Sequence, residues 1–240
     1  MLDKFLACVI YVLEALLFVL LLRRGEWKRH FAVSTYLISL LAVDAALRPY
    51  FFCHYGLNSY TYGYCYWLSD IVLALEAFGL TCFFFRRACA RDAQELWRLV
   101  RIALVVVFVL VAYISYYFIA HNYDHVQRHG DTFIYEFEQN LYFACLVLNT
   151  FLFVVLQGIE RAEQELELFV CGMGIQFAGP TASLALVHVT HSRASSYSLL
   201  GYIMPVCTLM MLLVWLYAVT TTHKEVAREA RVAALAEAGS

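Results

Sequence analysis

The sequence predicts an all-α integral membrane protein, a seven-transmembrane-helix bundle with its N-terminus outside and its C-terminus inside. Three observations carry that expectation. The 240 residues are 62% hydrophobic and only 15% charged, with a mean hydropathy of +0.67. Soluble domains run nearer ~45–50% apolar and ~25% charged, so this much apolar surface calls for lipid as its solvent. Seven windows of about 20 mainly apolar residues recur, each able to cross a hydrocarbon core of ~30 Å at ~1.5 Å per residue. Lysine and arginine also collect in alternate loops, as the positive-inside rule describes.

The first window, residues 4–22, is long for a signal peptide, precedes no small-residue cleavage site and stops at Arg23-Arg24, so it reads as a retained helix. The second and third, 31–51 and 66–85, flank an aromatic loop, and the fourth and fifth cover 101–120 and 137–157. The sixth, 166–187, has Glu165 and Glu167 at its start and Gly179-Pro180 within it, which predicts a kink. A re-entrant course there would leave five or six spans. Its Gly174, Ala178 and Ala182 recur every four residues and read as a packing seam. The seventh, 197–220, leads into an Ala- and Glu-rich tail. With 3 prolines and 11 glycines there is no room for a disordered linker. The expected organisation is one membrane domain over 1–222 and a short cytoplasmic helical tail over 223–240.

Orientation follows from the basic residues. Arg23, Arg24, Lys28, Arg29, Arg86, Arg87, Arg91, Arg98, Arg101, Arg161, Lys224, Arg228 and Arg231 fall on one side. Only Lys4, Arg48, Arg128 and Arg193 fall on the other, so an odd helix count places the C-terminus in the cytoplasm of an inner membrane. A net charge of −2 and the lack of basic clusters interleaved with aromatics argue against nucleic acid as a partner.

Four acids lie inside the windows: Glu14, Asp44, Asp70 and Glu76. Ionisable groups at membrane depth are costly and face the bundle interior. Asp44 and Arg48 are four apart and can pair along one helix, and Asp70 is a candidate second partner for Arg48. Glu14 and Glu76 have no cation at their depth, where Asn149 and Gln176 are also expected. An interhelical polar cluster, a proton or cation path and the floor of a ligand cavity all fit these residues.

Six of the 8 histidines fall at the expected outer face: His54, His121, His125, His129, His188 and His191. His121 and His125 would share a face of helix four and could meet His188 or His191 from helix six. Zinc or copper ligation, with Asp124, Asp131 and Glu136 holding the rings, and proton sensing are open readings beside ordinary hydrogen bonding at the interface. The loop from Tyr50 to Trp67 holds nine aromatic residues, more than an interfacial belt needs, and reads as a lid or partner platform. Cys53 and Cys65 flank it and are expected to form a disulfide, while the other cysteines read as small apolar packers.

Helix seven has no lysine for a retinal Schiff base, and the serine and histidines of zinc-dependent seven-helix hydrolases have no counterpart. No Walker motif, GxSxG or GxGxxG occurs. Tyr66-Trp67-Leu68-Ser69-Asp70, followed by Glu76 to Arg87 and by Arg98 and Arg101, resembles an uncharacterised family of bacterial seven-helix proteins that carry Tyr-Trp and then an acid in helix three. That resemblance implies the helix count and no known activity. The expected function is a non-enzymatic membrane sensor or accessory subunit, its outer face receiving a signal and its basic loops meeting a membrane or cytoplasmic protein partner. A small proton- or cation-coupled transporter using Glu14 and Glu76, and a metal-dependent membrane enzyme, are the alternatives.

Overall fold

A computed structural model of the chain describes residues 2–23, 30–56, 59–89, 94–122, 129–158, 163–190 and 202–221. Side chains are described within these segments except at 2–4, 94–96, 118, 119, 121, 122, 129–132, 135 and 183–190. All regular structure among the described residues is helical: α1 (Leu2–Arg23), α2 (Phe31–Tyr55), α3 (Tyr60–Cys89), α4 (Gln94–Asn122), α5 (His129–Gln157), α6 (Gln164–Thr190) and α7 (Tyr202–Thr221). Apolar stretches of 19 to 30 residues, long enough to cross a membrane, occur in α1 to α5 and in α7. Many of their apolar side chains point outward, as Val105, Val109, Phe143, Phe151 and Val154 do, which is the pattern that lipid rather than water accepts.

The helices overrun the apolar windows because their ends carry polar and aromatic residues that a hydropathy window discards. The expected loop from Tyr50 to Trp67 is mostly helix. It turns at Gly56, whose φ of +73° is a conformation that glycine adopts without a Cβ penalty, and the Gly56 N–H closes the last turn on the Phe52 carbonyl at 3.0 Å. Helix α6 stays helical through Pro180, where a kink is expected, and the Thr181 hydroxyl donates to the Phe177 carbonyl at 2.8 Å on that turn.

Helix α2 departs from α geometry over Ala42–Leu47, which form a π-helical turn. Pro49 supplies the reason. It has no N–H, and its ring crowds the carbonyl four residues earlier, so the chain widens ahead of it. In the widened register the Arg48 N–H bonds the Val43 carbonyl, and the next residue, Pro49, has no N–H to offer the Asp44 carbonyl.

Helix α3 is central, touching α2, α4, α5 and α6, while α5 packs on α4 and α6 and α1 packs on α2. Helix α7 joins through Trp215, whose ring meets Phe169 of α6 edge-on at 5.6 Å and Tyr36 of α2 at 6.1 Å. The close approach of α6 and α7 uses glycine, but not the expected seam. A Cβ on Gly172 would stand 2.6 Å from the Trp215 indole, and one on Gly179 would stand 3.1 Å from the Cys207 sulfur. Residues 172 and 179 are two turns apart and so share a face, whereas Ala178 and Ala182 are exposed.

Candidate functional site

Two ends of the bundle differ in chemistry. At the aromatic end, α2 finishes and α3 begins; at the basic end, α3 finishes and α6 begins. Arg48, in the last turns of α2, stands at the centre of the polar groups at the aromatic end. Its Nη1 donates to Asp44 Oδ1 at 2.7 Å, one turn back on the same helix, and its Nη2 pairs with Asp70 Oδ1 of α3. All three side chains are half-buried. The guanidinium also lies over the Tyr66 ring, 4.4 Å from its centroid, which fixes its plane from a third direction.

Further carboxyls surround this ion triplet. Glu138 of α5 is 8% exposed and lies within electrostatic range of Asp70 and Arg48; its Oε2 has no hydrogen-bond partner among the described residues. The Nε–H of Arg48 is likewise without an acceptor there. An unfilled donor and an unfilled acceptor around one ion pair are what a bridging water or a hydroxyl-bearing ligand satisfies. Beside them Leu47, Arg48, Phe51, Tyr62, Cys65 and Tyr66 line a shallow notch.

Glu14 of α1 lies deeper. It is 0% exposed, feels the charge of Asp44, and neither of its carboxyl oxygens has a partner among the described residues. One turn nearer the aromatic end, Tyr11 donates its hydroxyl to the Asp44 backbone carbonyl at 3.0 Å, the acceptor that the π-turn leaves open. At similar depth on α3, Glu76 Oε1 accepts from Ser39 Oγ at 2.8 Å, and its Oε2 is unfilled. Buried Tyr36 senses Asp44, Glu14 and Glu76 together, so these acids of three helices share one interior region.

The basic end is built differently. Phe84, Phe169 and Trp215 are 0% exposed. Phe84 stacks on Phe169 at 6.3 Å, and the Trp215 indole N–H donates to the Phe169 carbonyl at 3.0 Å. Beyond this aromatic layer His30 Nε2 faces Glu165 Oε1 at 3.4 Å, and Arg87 binds Glu163 through its Nε at 2.9 Å and reaches Glu165 at 3.4 Å. These side chains tie the start of α2, the end of α3 and the start of α6.

Of the residues expected to act together, Asp44, Arg48 and Asp70 do meet, with Glu14 beside them. Glu76 takes Ser39 instead. Asn149 does not join the acids: its Nδ2 donates to the Val170 carbonyl at 2.9 Å, and a Cβ on Gly174 would stand 2.9 Å from that nitrogen. Gln176 is a second isolated polar group, its Oε1 buried without a partner among the described residues. Cys53 and Cys65 are free thiols, the first exposed and the second half-buried, so the expected disulfide is not formed in this structure. Their segment is two helices rather than a loop that a bond would close. The side chains of His121, His125, His188 and His191, and with them the zinc or copper reading, lie outside the described residues. Among the described residues no three His, Cys, Asp or Glu side chains converge as a metal site would require.

Glu138 lies inside the 137–157 window, and an acid at that position in a span is a signal available from the sequence. The part played by Tyr11 has one trace there, the proline that opens the Asp44 carbonyl; His30 with Glu165 has none. No family model, no curated protein and no solved structure matches this chain.

Proposed function

We propose that the chain is a non-enzymatic sensor or accessory subunit of a cytoplasmic membrane, crossing it seven times with the N-terminus outside and the C-terminus inside. The observation that carries this reading is the contrast between the two ends. Titratable groups gather around Arg48 toward the aromatic end, and the path from Glu76 along α3 to the basic end runs past buried Ala77, Leu80, Phe84 and Phe85 and one buried polar side chain, Thr81, whose hydroxyl is spent on the Ala77 carbonyl at 3.0 Å. A transporter built on Glu14 and Glu76 needs polar groups to continue along that path. A sensor needs the reverse, an input region over a sealed base.

Helix α6 supplies the seventh crossing, since 27 continuous residues reach ~40 Å at ~1.5 Å each. The excess of thirteen over four Lys and Arg counted from the sequence supports that orientation, and Arg23, Arg86, Arg98 and Arg101 are basic residues of that side available to a partner. Two measurements test this. A membrane-impermeant thiol reagent should label exposed Cys53 on intact cells, and mild-detergent isolation from the native membrane should yield the chain with a partner protein. Labelling of Cys53 only after permeabilisation, or a chain that comes out alone and moves protons or cations across vesicles, contradicts the reading.

A further inference from the structure

We propose that Glu14 is an exchangeable proton-binding site whose charge state controls the α1–α2 contact through Tyr11. This deepens the sensor reading, on which it rests, by naming the proton as the signal.

Glu14 is fully buried, with both carboxyl oxygens unfilled among the described residues. An apolar place without donors accepts the neutral carboxyl and rejects the bare carboxylate, so this arrangement is that of the proton-loaded form. The groups that bear on Glu14 are few. The charge that bears on it is Asp44 of α2; Tyr11 of its own helix and Tyr36 of α2 sense Glu14, with Arg48 and Glu76 beside those tyrosines and Asp70 and Glu138 beyond Arg48. Helix α7 carries no charged residue between 202 and 221. Among the described residues the cation near this region is Arg48, which is divided between Asp44 and Asp70 and makes no ion pair with Glu14.

Loss of the Glu14 proton to water at the aromatic end creates a carboxylate that needs a donor. The hydroxyl that senses Glu14 from the same helical face is that of Tyr11, three residues away. It is already engaged, donating to the Asp44 carbonyl at 3.0 Å. That carbonyl has no substitute, because the Arg48 N–H is taken by Val43 and residue 49 is proline. One hydroxyl therefore serves two acceptors on different helices. With Glu14 protonated it ties α1 to the π-turn of α2; with Glu14 ionised it turns back onto α1 and the tie opens. Reprotonation restores the bond, and no other atom changes hands.

The test uses the full-length protein in phosphatidylcholine nanodiscs, titrated from about pH 5 to about pH 9, a range in which buried glutamates are known to ionise. Infrared absorption of the protonated carboxyl reports the proton, and amide exchange over residues 42–48, corrected for its intrinsic pH dependence, reports the tie. In the wild type the carboxyl band should fade and exchange should rise at least several-fold together. Against a Glu138→Gln background, which removes the other buried carboxyl of this kind, Glu14→Gln should lose the part of the band that fades with pH and stay slow at every pH, whereas Tyr11→Phe should keep that part and exchange fast throughout. A Glu14→Gln protein in which that pH-dependent part survives, or a Tyr11→Phe protein that retains the pH response in exchange, overturns the proposal. Vesicle flux measures the sensor reading separately, so a failure of either is recognisable by itself.

Discussion

The two halves of this bundle solve opposite problems with the same number of helices. Toward the aromatic end, Asp44 and Asp70 share one arginine, and Glu14 and Glu138 lie near them with carboxyl oxygens unfilled among the described residues. Toward the basic end, the layer of Phe84, Phe169 and Trp215 is closed so tightly that glycine is the only residue that fits beneath the indole. Buried polar groups without partners cost stability, and a protein keeps them where they do something. The sealed half gives that arrangement a rigid base. The unfilled polar groups and the closed aromatic layer are therefore separated along the bundle, and substitutions in the two halves should fail differently.

The largest effect is expected from Trp215→Ala, which removes a fully buried indole, its bond to the Phe169 carbonyl and the ring under which α6 and α7 meet. Thermal unfolding in detergent should register a loss of about 4 kcal/mol. Next comes Arg48→Met, which leaves Asp44 and Asp70 without their cation. Breaking such a pair costs ~3–5 kcal/mol when buried, and the low end, about 3 kcal/mol, suits side chains that keep roughly a fifth to a quarter of their exposure. Arg48→Lys should recover only part of it, because an ammonium cannot present two parallel donors to two carboxylates and a flat face to Tyr66. If Arg48→Met instead raises stability, the triplet is a pure cost and the contrast between the halves sharpens.

Gly172→Ala is expected to cost about 2 kcal/mol, since the new methyl must displace the indole. Tyr11→Phe, which deletes one interhelical hydrogen bond and leaves the Asp44 carbonyl open, should cost about 1 kcal/mol by the same assay. The smallest effect belongs to Glu163→Gln at the basic end. Its carboxylate is 30% exposed and screened by water, so the loss should stay under about 1 kcal/mol and shrink further in high salt.

The sequence made the membrane setting legible through composition, and it made the ion triplet legible because Asp44 and Arg48 are four apart and Asp70 is the next acid at that depth. It misled at Asn149. Depth along a helix can be counted from a sequence, but azimuth cannot, and Asn149 faces Val170 rather than the acids. The Gly174, Ala178 and Ala182 stripe misled for the same reason, since spacing identifies a face without saying what the face meets. The π-turn shifts every later residue of α2 around its axis, so the positions of Arg48 and of the aromatic rings beyond it depend on a local event that Pro49 hints at and helical periodicity hides. The aromatic run from Tyr50 to Trp67 reads as a loop when hydropathy alone sets helix ends, yet its rings stack along two helices, Tyr50 on His54 at 4.5 Å and Tyr60 on Tyr64 at 6.5 Å.

The central claim is that the acid-rich half ends on a sealed base. It is tested most directly by reconstituting the purified chain in vesicles containing a pH-sensitive dye and imposing a pH gradient. The sealed base predicts proton flux no greater than that of empty vesicles, for the wild type and for Glu14→Gln alike. Flux above that background in the wild type, abolished by Glu14→Gln, would contradict it and make the chain a proton carrier.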